Sequence, residues 1–319
     1  MKNILFNTIE GIKVGNAQNL NGPTGCTVVI CEEGASAGVD VRGGSPGTRE
    51  TDLLNPVNLV DKIHAVILSG GSAFGLDASG GVMQYLEEKN IGFDVTVTKV
   101  PIVCGAVLFD LAVGDFTIRP NKLMGYEACV NSELNLCENG NVGAGAGATV
   151  GKIKGGEYSM KGGLGSFAVQ VGDLKVGALV AVNCLGDVVD SKTGRIIAGA
   201  LNEDKKSFAN TESIMLETYY EKKNLFNRNT TIGVVVNNGK FTKSEMNKVA
   251  SMAHNGYART MRPAHSIFDG DTIFSMATGK VEADLSVVGF LSAQVMEMAI
   301  INAVKNSESI LGYKSYKDI

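Results

Sequence analysis

The stretch "NRNTTIGVVVNNG", residues 227–239, joins a polar segment to an apolar run, and two threonines stand at the junction. Residues 232–236 are β-branched apart from one glycine, the composition of a buried strand. Thr230 and Thr231 are then either ordinary strand residues or hydroxyls held where a loop meets a rigid element. A threonine hydroxyl is a weak nucleophile without a neighbouring base, and one available base is the residue's own α-amine, freed when the preceding peptide bond is cut. The bond between Asn229 and Thr230 is the candidate. Attack of the hydroxyl on the Asn229 carbonyl gives an ester, whose hydrolysis leaves Thr230 as the first residue of a new subunit.

Further along stands "RPAHSIFDGDTIF", residues 262–274, where Asp269 and Asp271 flank Gly270 immediately before another strand-like run. In an extended segment the two carboxylates share one side. Paired carboxylates in a partly closed site share a proton and accept from an ammonium or hydroxyl, which suits them to orient Thr230 and its amine. A calcium loop would need further oxygen ligands at fixed spacing, and these are absent from the sequence.

Around these motifs, strand-length runs recur at "CTVVIC", "HAVILSG", "FDVTVTKVPIV" and "VGALVAVN", ended by Gly or Asn. Helical periodicity lies between them. Over 242–261, Met246, Val249, Ala250, Ala253 and Tyr257 share one face, and Thr242 with Glu245 forms a capping box. Two more helices are expected over about 75–89 and about 291–305, so the chain reads as a layered α/β or α+β domain. Residues 201–229 are rich in charge and Asn with weak periodicity, the signature of a mobile surface linker ending at Asn229.

Composition narrows the function. The chain of 319 residues can bury a sizeable core, and its net charge of -4 offers nothing to nucleic acid or an anionic membrane. Its 40 glycines against 6 prolines lie between solid apolar runs and mark tight strand ends. The N-terminal "MKNILFNTIEGIKVG" lacks the long apolar segment of a signal peptide, and no run reaches the ~20 apolar residues of a membrane span, so a cytoplasmic protein is expected. The 6 cysteines form no C-x-x-C pair and read as buried thiols; no metal or organic cofactor is implied.

Several motifs resemble sites without meeting their requirements. "SGGSAFG", residues 69–75, misses the G-x-S-x-G spacing of a nucleophile elbow, and Ser72 reads as a cap for the following helix. "GAGAGATVGK", residues 143–152, fails both the phosphate-loop and the dinucleotide patterns, since Ala146, Val150 and Ile153 stand at required positions. The run instead lets backbones approach closely and leaves Lys152 at the edge of a glycine-lined space. His64, His254 and His265 read as structural histidines, and Arg42 and Arg49 as loop or subunit anchors.

With these residues in view, the chain resembles the self-processing L-aminopeptidase/D-esterase (DmpA-type) family, which includes β-aminopeptidases and 6-aminohexanoate-oligomer, or nylon, hydrolases. "GVDVRGGSPGTRETDLLNP", "HAVILSGGSAFGLDASGGV", "NVGAGAGATVGK", "MKGGLGS", "VAVNCLGDVVD", "NTTIGVVV" and "ARTMRPAHSIFDGDTIF" carry the resemblance over nearly the whole chain. It implies an N-terminal-nucleophile-like, four-layer αββα sandwich of ornithine-acetyltransferase type, one domain over residues 1–319, cut into a 1–229 α chain and a 230–319 β chain. It implies a homo-oligomer, a tetramer of α/β heterodimers or larger, acting on small amide or peptide substrates.

Residue by residue, the resemblance makes Thr230 nucleophile and base, and Asp269 and Asp271 its orienting carboxylates, as in the nylon-hydrolase branch. It makes Asn183 an oxyanion donor and Lys152 a cation beside the nucleophile. The β-aminopeptidase branch has serine as nucleophile and at the position of Asp269. In "VPIVCGAVLFDL" no tyrosine matches the one some members carry near the site; Phe109 is the nearest aromatic. "VVNNG" replaces an A-T-D-A-P-type sequence, and Asn238 with Gly239 suits a tight turn. The expected activity is an amide hydrolase of aminopeptidase or amidase type, acting through an acyl-threonine on amino-terminal peptides, amino-acid amides or ω-amino-acid oligomers. The alternatives are an acyltransferase using the same acyl-enzyme, and an unprocessed, non-catalytic relative.

Overall fold

The computed structural model describes residues 1–220 and 229–319. Ten strands build the main sheet: β1 (Lys2–Ile4), β2 (Lys13–Asn19), β3 (Thr24–Val41), β4 (Thr48–Arg49), β5 (Lys62–Ser69), β6 (Val103–Val107), β7 (Gly163–Val171), β8 (Leu174–Val182), β9 (Ile232–Gly239) and β10 (Thr272–Val281). Among the described residues five α-helices accompany them: α1 (Ala78–Glu88), α2 (Lys122–Asn131), α3 (Thr211–Tyr220), α4 (Lys243–Thr260) and α5 (Leu285–Lys305). The strand order is β1-β7-β8-β9-β10-β3-β5-β6-β4, with β2 paired to β3.

The layering follows from β3. This strand is 18 residues long, and its pairing with β5 shifts register between Ile30 and Ala35. Before the shift it pairs with β2 and β5; after it, it keeps β5 only over Ala35 and Ser36 and pairs on with β10. A register break bends and twists a strand, so the sheet folds back and its two halves face each other.

Side-chain alternation then fills three separate interiors. In β8, Ala178, Val180 and Val182 face α4 and α5, where they meet Met246, Val249 and Met296. Leu179 and Ala181 face the opposite sheet half and pack with Val29, Val66 and Leu68. Beyond that half, Val28, Ile30 and Ile67 cover Val82 and Leu86 of α1 and Ala128 of α2. Three apolar interiors separate four layers, the αββα sandwich expected.

The helix expectations hold with shifted starts. The capping box of α4 is present, Thr242 accepting from Glu245 N–H and the Glu245 carboxylate from Thr242 N–H. Met246, Val249, Ala250, Ala253 and Tyr257 are all fully buried. α5 begins at Leu285, where the Asp284 side chain accepts Val287 N–H at 2.9 Å. Among the described residues α5 alone is long and apolar enough to cross a membrane by length and composition, and 67% of that apolar window is buried inside the fold. Five cysteines are buried and Cys137 is half-buried, all as free thiols.

Three expectations need correction. "FDVTVTKVPIV" is not one strand: Phe93–Asp94 and Lys99–Val100 form a small hairpin, and the sheet strand starts only at Val103. Val97 is 89% exposed, so the alternating valines have no core to face. The 201–229 linker is helical over α3, because the buried Asp187 carboxylate accepts the Thr211 N–H at 2.7 Å and its hydroxyl at 2.7 Å, capping the helix from a distant strand. Residues 221–228 of that expectation lie outside the described residues. Asn238 and Gly239 form no tight turn; they belong to β9, with a register shift against β10, and the Asn238 amide bridges Lys175 N–H and Asp173 O.

Candidate active site

The sheet topology assembles one cluster at one end of the molecule. β9 and β10 are parallel, so their N-terminal ends lie side by side. Thr230 just precedes β9 and the Asp269–Asp271 segment just precedes β10, with Asn229 bridged to Asp269. β8 runs antiparallel to β9, and β3 antiparallel to β10, so their C-terminal ends arrive at the same edge. Just past their ends, they bring Asn183 after β8 and residues 42–45 after β3. Arg42 N–H donates to Asp271 O at 2.9 Å and Ser45 N–H to Asp269 O at 2.8 Å, which anchors the acidic segment from the other side.

Thr230 and Thr231 are buried and lie outside the strand. The Thr230 hydroxyl touches the carbonyl oxygen of Asn229, the group it would attack in self-cleavage. The Gly270 N–H reaches both atoms, 3.2 Å from Asn229 O and 3.1 Å from Thr230 Oγ1. Thr230 N–H donates to Asn183 O at 3.1 Å. Gly270 is a residue that sequence reading passed over as a spacer. A Cβ there would lie 2.7 Å from Thr230 Oγ1 and 2.8 Å from Ser45 O, so only glycine allows this approach. The Asn229 side chain is buried, and among the described residues neither its Nδ2 nor its Oδ1 finds a partner.

The two carboxylates hold different parts of the site. Asp269 Oδ1 accepts Leu185 N–H at 3.4 Å, and Oδ2 accepts Ser266 N–H at 3.0 Å together with the Ser266 hydroxyl. Burial, reinforced by the charge of Asp271, pushes the Asp269 carboxyl up from 3.8 to about 6, against those hydrogen bonds. Asp271 Oδ1 accepts Thr231 N–H at 2.9 Å. Its Oδ2 accepts His265 N–H at 2.9 Å and lies 2.9 Å from His265 Nδ1. A carboxylate only accepts, so Nδ1 carries the proton. His265 therefore does more than pack in the loop.

Lys152 is 9% exposed and donates to Asn183 Oδ1 at 2.6 Å and Asn183 O at 3.0 Å. Burial lowers its ammonium from 10.5 to about 7, partly opposed by the charges of Asp269 and Asp110. Lys152 Nζ and Thr230 N thus share the Asn183 carbonyl oxygen. The Asn183 amide also receives Thr149 N–H on Oδ1 at 3.0 Å and gives one Nδ2 proton to Phe109 O at 3.0 Å. The glycine run behaves as a close-approach segment: a Cβ at Gly145 would lie 2.0 Å from Leu164 N. Lys152 N–H pairs with Leu185 O at 3.0 Å, which docks the end of the run beside the site.

A cavity of about 280 Å³ opens beside Thr230, walled by Ser45, Ser72, Val107, Phe109 and Phe268 among others. Phe109 thus stands in the wall of the site. Ser72 does not cap a helix. It takes φ 54 at the start of a 3-10 turn, with its N–H on Leu108 O. His64 is buried, accepts Ile102 N–H on Nδ1 at 3.2 Å and has its pKa lowered by burial. His254 is buried with Nε2 on Asp40 O at 2.9 Å. Arg42 ties β3 to α4 through Asp40 and Ser251, and Arg49 Nη2 lies 3.2 Å from Met83 Sδ.

Comparison with known proteins places this geometry in a family. The chain is 40% identical to an uncharacterized aminopeptidase of Mycobacterium leprae (strain TN), over 97% of this chain and 92% of the relative. It is 28% identical to a 6-aminohexanoate-oligomer endohydrolase of Kocuria sp. (strain KY2), over 92% of this chain and 84% of the relative. The fold matches that of the L-aminopeptidase D-Ala-esterase/amidase from Ochrobactrum anthropi, a variant of the Ntn hydrolase fold, with a TM-score of 0.71 at 17% identity, over 94% of this chain and 85% of that one. The family model described as peptidase family S58 matches residues 7–317, so the chain belongs to peptidase family S58.

Proposed function

We infer that Thr230 is the nucleophile through which this S58 hydrolase cuts peptide or amide bonds, and that it becomes one by cleaving its own chain. The observation that carries this reading is the Thr230 hydroxyl lying against the Asn229 carbonyl, with one N–H, that of Gly270, aimed at both. Thr230 Oγ adds to the Asn229 carbonyl carbon, and the developing oxyanion is stabilised by Gly270 N–H. The C–N bond then breaks, and the nitrogen leaves as the α-amine of Thr230. Lys152, sharing the Asn183 carbonyl with that nitrogen, supplies the proton it needs and recovers one from the hydroxyl. Water hydrolyses the ester, leaving Asn229 with a free carboxylate. An oxyanion donor of this kind is worth ~100- to 1,000-fold in rate.

In the cleaved protein the new amine takes the hydroxyl proton, Oγ attacks the substrate carbonyl, and the amine passes the proton to the leaving nitrogen. Water then releases the acyl group. Asp271 holds the chain just after Thr230 through Thr231 N–H, Asp269 holds the neighbouring Leu185 and Ser266 segments, and both offset the charge of the amine. The second Nδ2 proton of Asn183 is a further oxyanion donor. Asn229 leaves the cavity wall with no side-chain hydrogen bond to the described residues to break, which opens the space to substrate. The names of the relatives favour aminoacyl amides, short peptides and ω-amino-acid oligomers as substrates.

The test is turnover of amino-acid p-nitroanilides and 6-aminohexanoate oligomers by the wild-type protein and by Thr230→Ala. The reading expects product from the wild type alone, with a trapped acyl group on the fragment beginning at Thr230. Equal turnover by Thr230→Ala would overturn it.

A further inference from the structure

His265 stands on the far side of Asp271 from Thr231, and its setting is peculiar for a packing residue. Its backbone takes φ 58, a region that L side chains rarely adopt. Its ring stacks on Tyr257 at 5.9 Å between centroids and meets the His254 ring edge-on at 4.8 Å. In this cluster His265 Nε2, His254 Nδ1 and the Tyr257 hydroxyl are all buried without partners among the described residues. Unpaired buried polar atoms are costly, and an apolar side chain would fill the same space without them. What the imidazole supplies and an apolar residue cannot is the Nδ1–H on Asp271.

We propose that His265 is a positioning residue: its backbone N–H and ring Nδ1–H grip Asp271 Oδ2, which leaves Oδ1 aimed at Thr231 N–H and so fixes Thr230 for attack. The chain of contacts is continuous, from His265 to Asp271 at 2.9 Å and from Asp271 to Thr231 N at 2.9 Å. His265 also lines a cavity of about 370 Å³ with Glu212, Arg262 and Pro263, which gives small solutes a route to the ring from outside. The inference rests on Thr230 being the nucleophile.

The test uses His265→Gly, which accepts the left-handed backbone and empties the ring's place, and His265→Asn, which tolerates that backbone and keeps a side-chain N–H near Nδ1. For His265→Gly the rate of cleavage at Thr230 and the kcat should fall about 10- to 100-fold, the worth of a hydrogen bond to a charged group, with KM little changed. His265→Asn should recover most of the loss, and added imidazole should restore part of it in His265→Gly. Should His265→Gly not fold, His265→Asn compared with His265→Leu decides the same point. Wild-type rates in the Gly or Leu variant would overturn the proposal. So would equal impairment of Gly and Asn variants with no response to imidazole, since the ring would then only pack. Wild type and Thr230→Ala run alongside: failure of the wild type to cleave sinks the nucleophile reading itself, and this inference with it.

Discussion

Asp269→Asn in a Thr230→Ala background should make the fold more stable at pH 8, although it removes a carboxylate from the site. Thr230→Ala keeps both chains uncut, so they differ at one group. Asp269 is 1% exposed, and burial beside Asp271 raises its pKa from 3.8 to about 6. The folded state therefore holds the proton more tightly than the unfolded chain does. Ionisation costs stability as pH rises from about 4 to about 6, and the full cost persists above that. At 1.36 kcal/mol per tenfold change in affinity the shift amounts to ~3 kcal/mol. Asparagine escapes this cost but keeps only one acceptor oxygen. It can still receive the Ser266 donors, while the 3.4 Å bond from Leu185 N–H is lost, at ~1 kcal/mol. A net gain of ~1–2 kcal/mol remains at pH 8, and it should vanish or reverse at pH 4, where the wild-type carboxyl is itself protonated. Urea unfolding of the two chains at both pH values measures it. A gap independent of pH, or a less stable asparagine chain at pH 8, would refute the argument that Asp269 is a charge held against its own solvation.

Other outcomes follow from the same geometry. Gly270→Ala should fold but cleave itself at least ~100-fold more slowly, because its Cβ would meet Thr230 Oγ1 at 2.7 Å and spoil the donor to Asn229 O; timed gel analysis of fresh precursor checks this. Self-cleavage of the wild-type precursor should peak between pH about 6 and about 7, rising as Asp269 ionises and falling as Lys152 loses its proton. In Lys152→Met the rate should drop and the descending limb should disappear from the pH profile. Tyr257→Phe removes a buried hydroxyl without a partner, so its thermal midpoint should match or exceed that of the wild type, whereas a drop equivalent to more than ~1 kcal/mol would mean the hydroxyl is paired after all.

Much of this site was legible because the chemistry sits in local strings. The threonine pair before a β-branched run marked Thr230, and the D-G-D string marked two carboxylates before another strand. Their meeting was not legible, since it depends on β9 and β10 pairing in parallel, and periodicity says nothing of strand direction. Gly270 read as a spacer because an N–H has no sequence signature; its spacing between two carboxylates was the available clue. The contact His265 makes with Asp271 was not legible for a similar reason. The loop ahead of β10 turns back so that residue 265 meets the carboxylate of residue 271, a contact invisible to a reading that asks only which face of an element a histidine occupies. The alternating valines near residue 95 met every local criterion for a strand and failed only because no second layer covers them.

The measurement that bears most directly on the account is the intact mass of the purified protein under denaturing conditions, beside Thr230→Ala. The account predicts two fragments dividing between Asn229 and Thr230 in the wild type and a single uncut chain in the mutant. An uncut wild-type chain, or a mutant divided at the same bond, would contradict it.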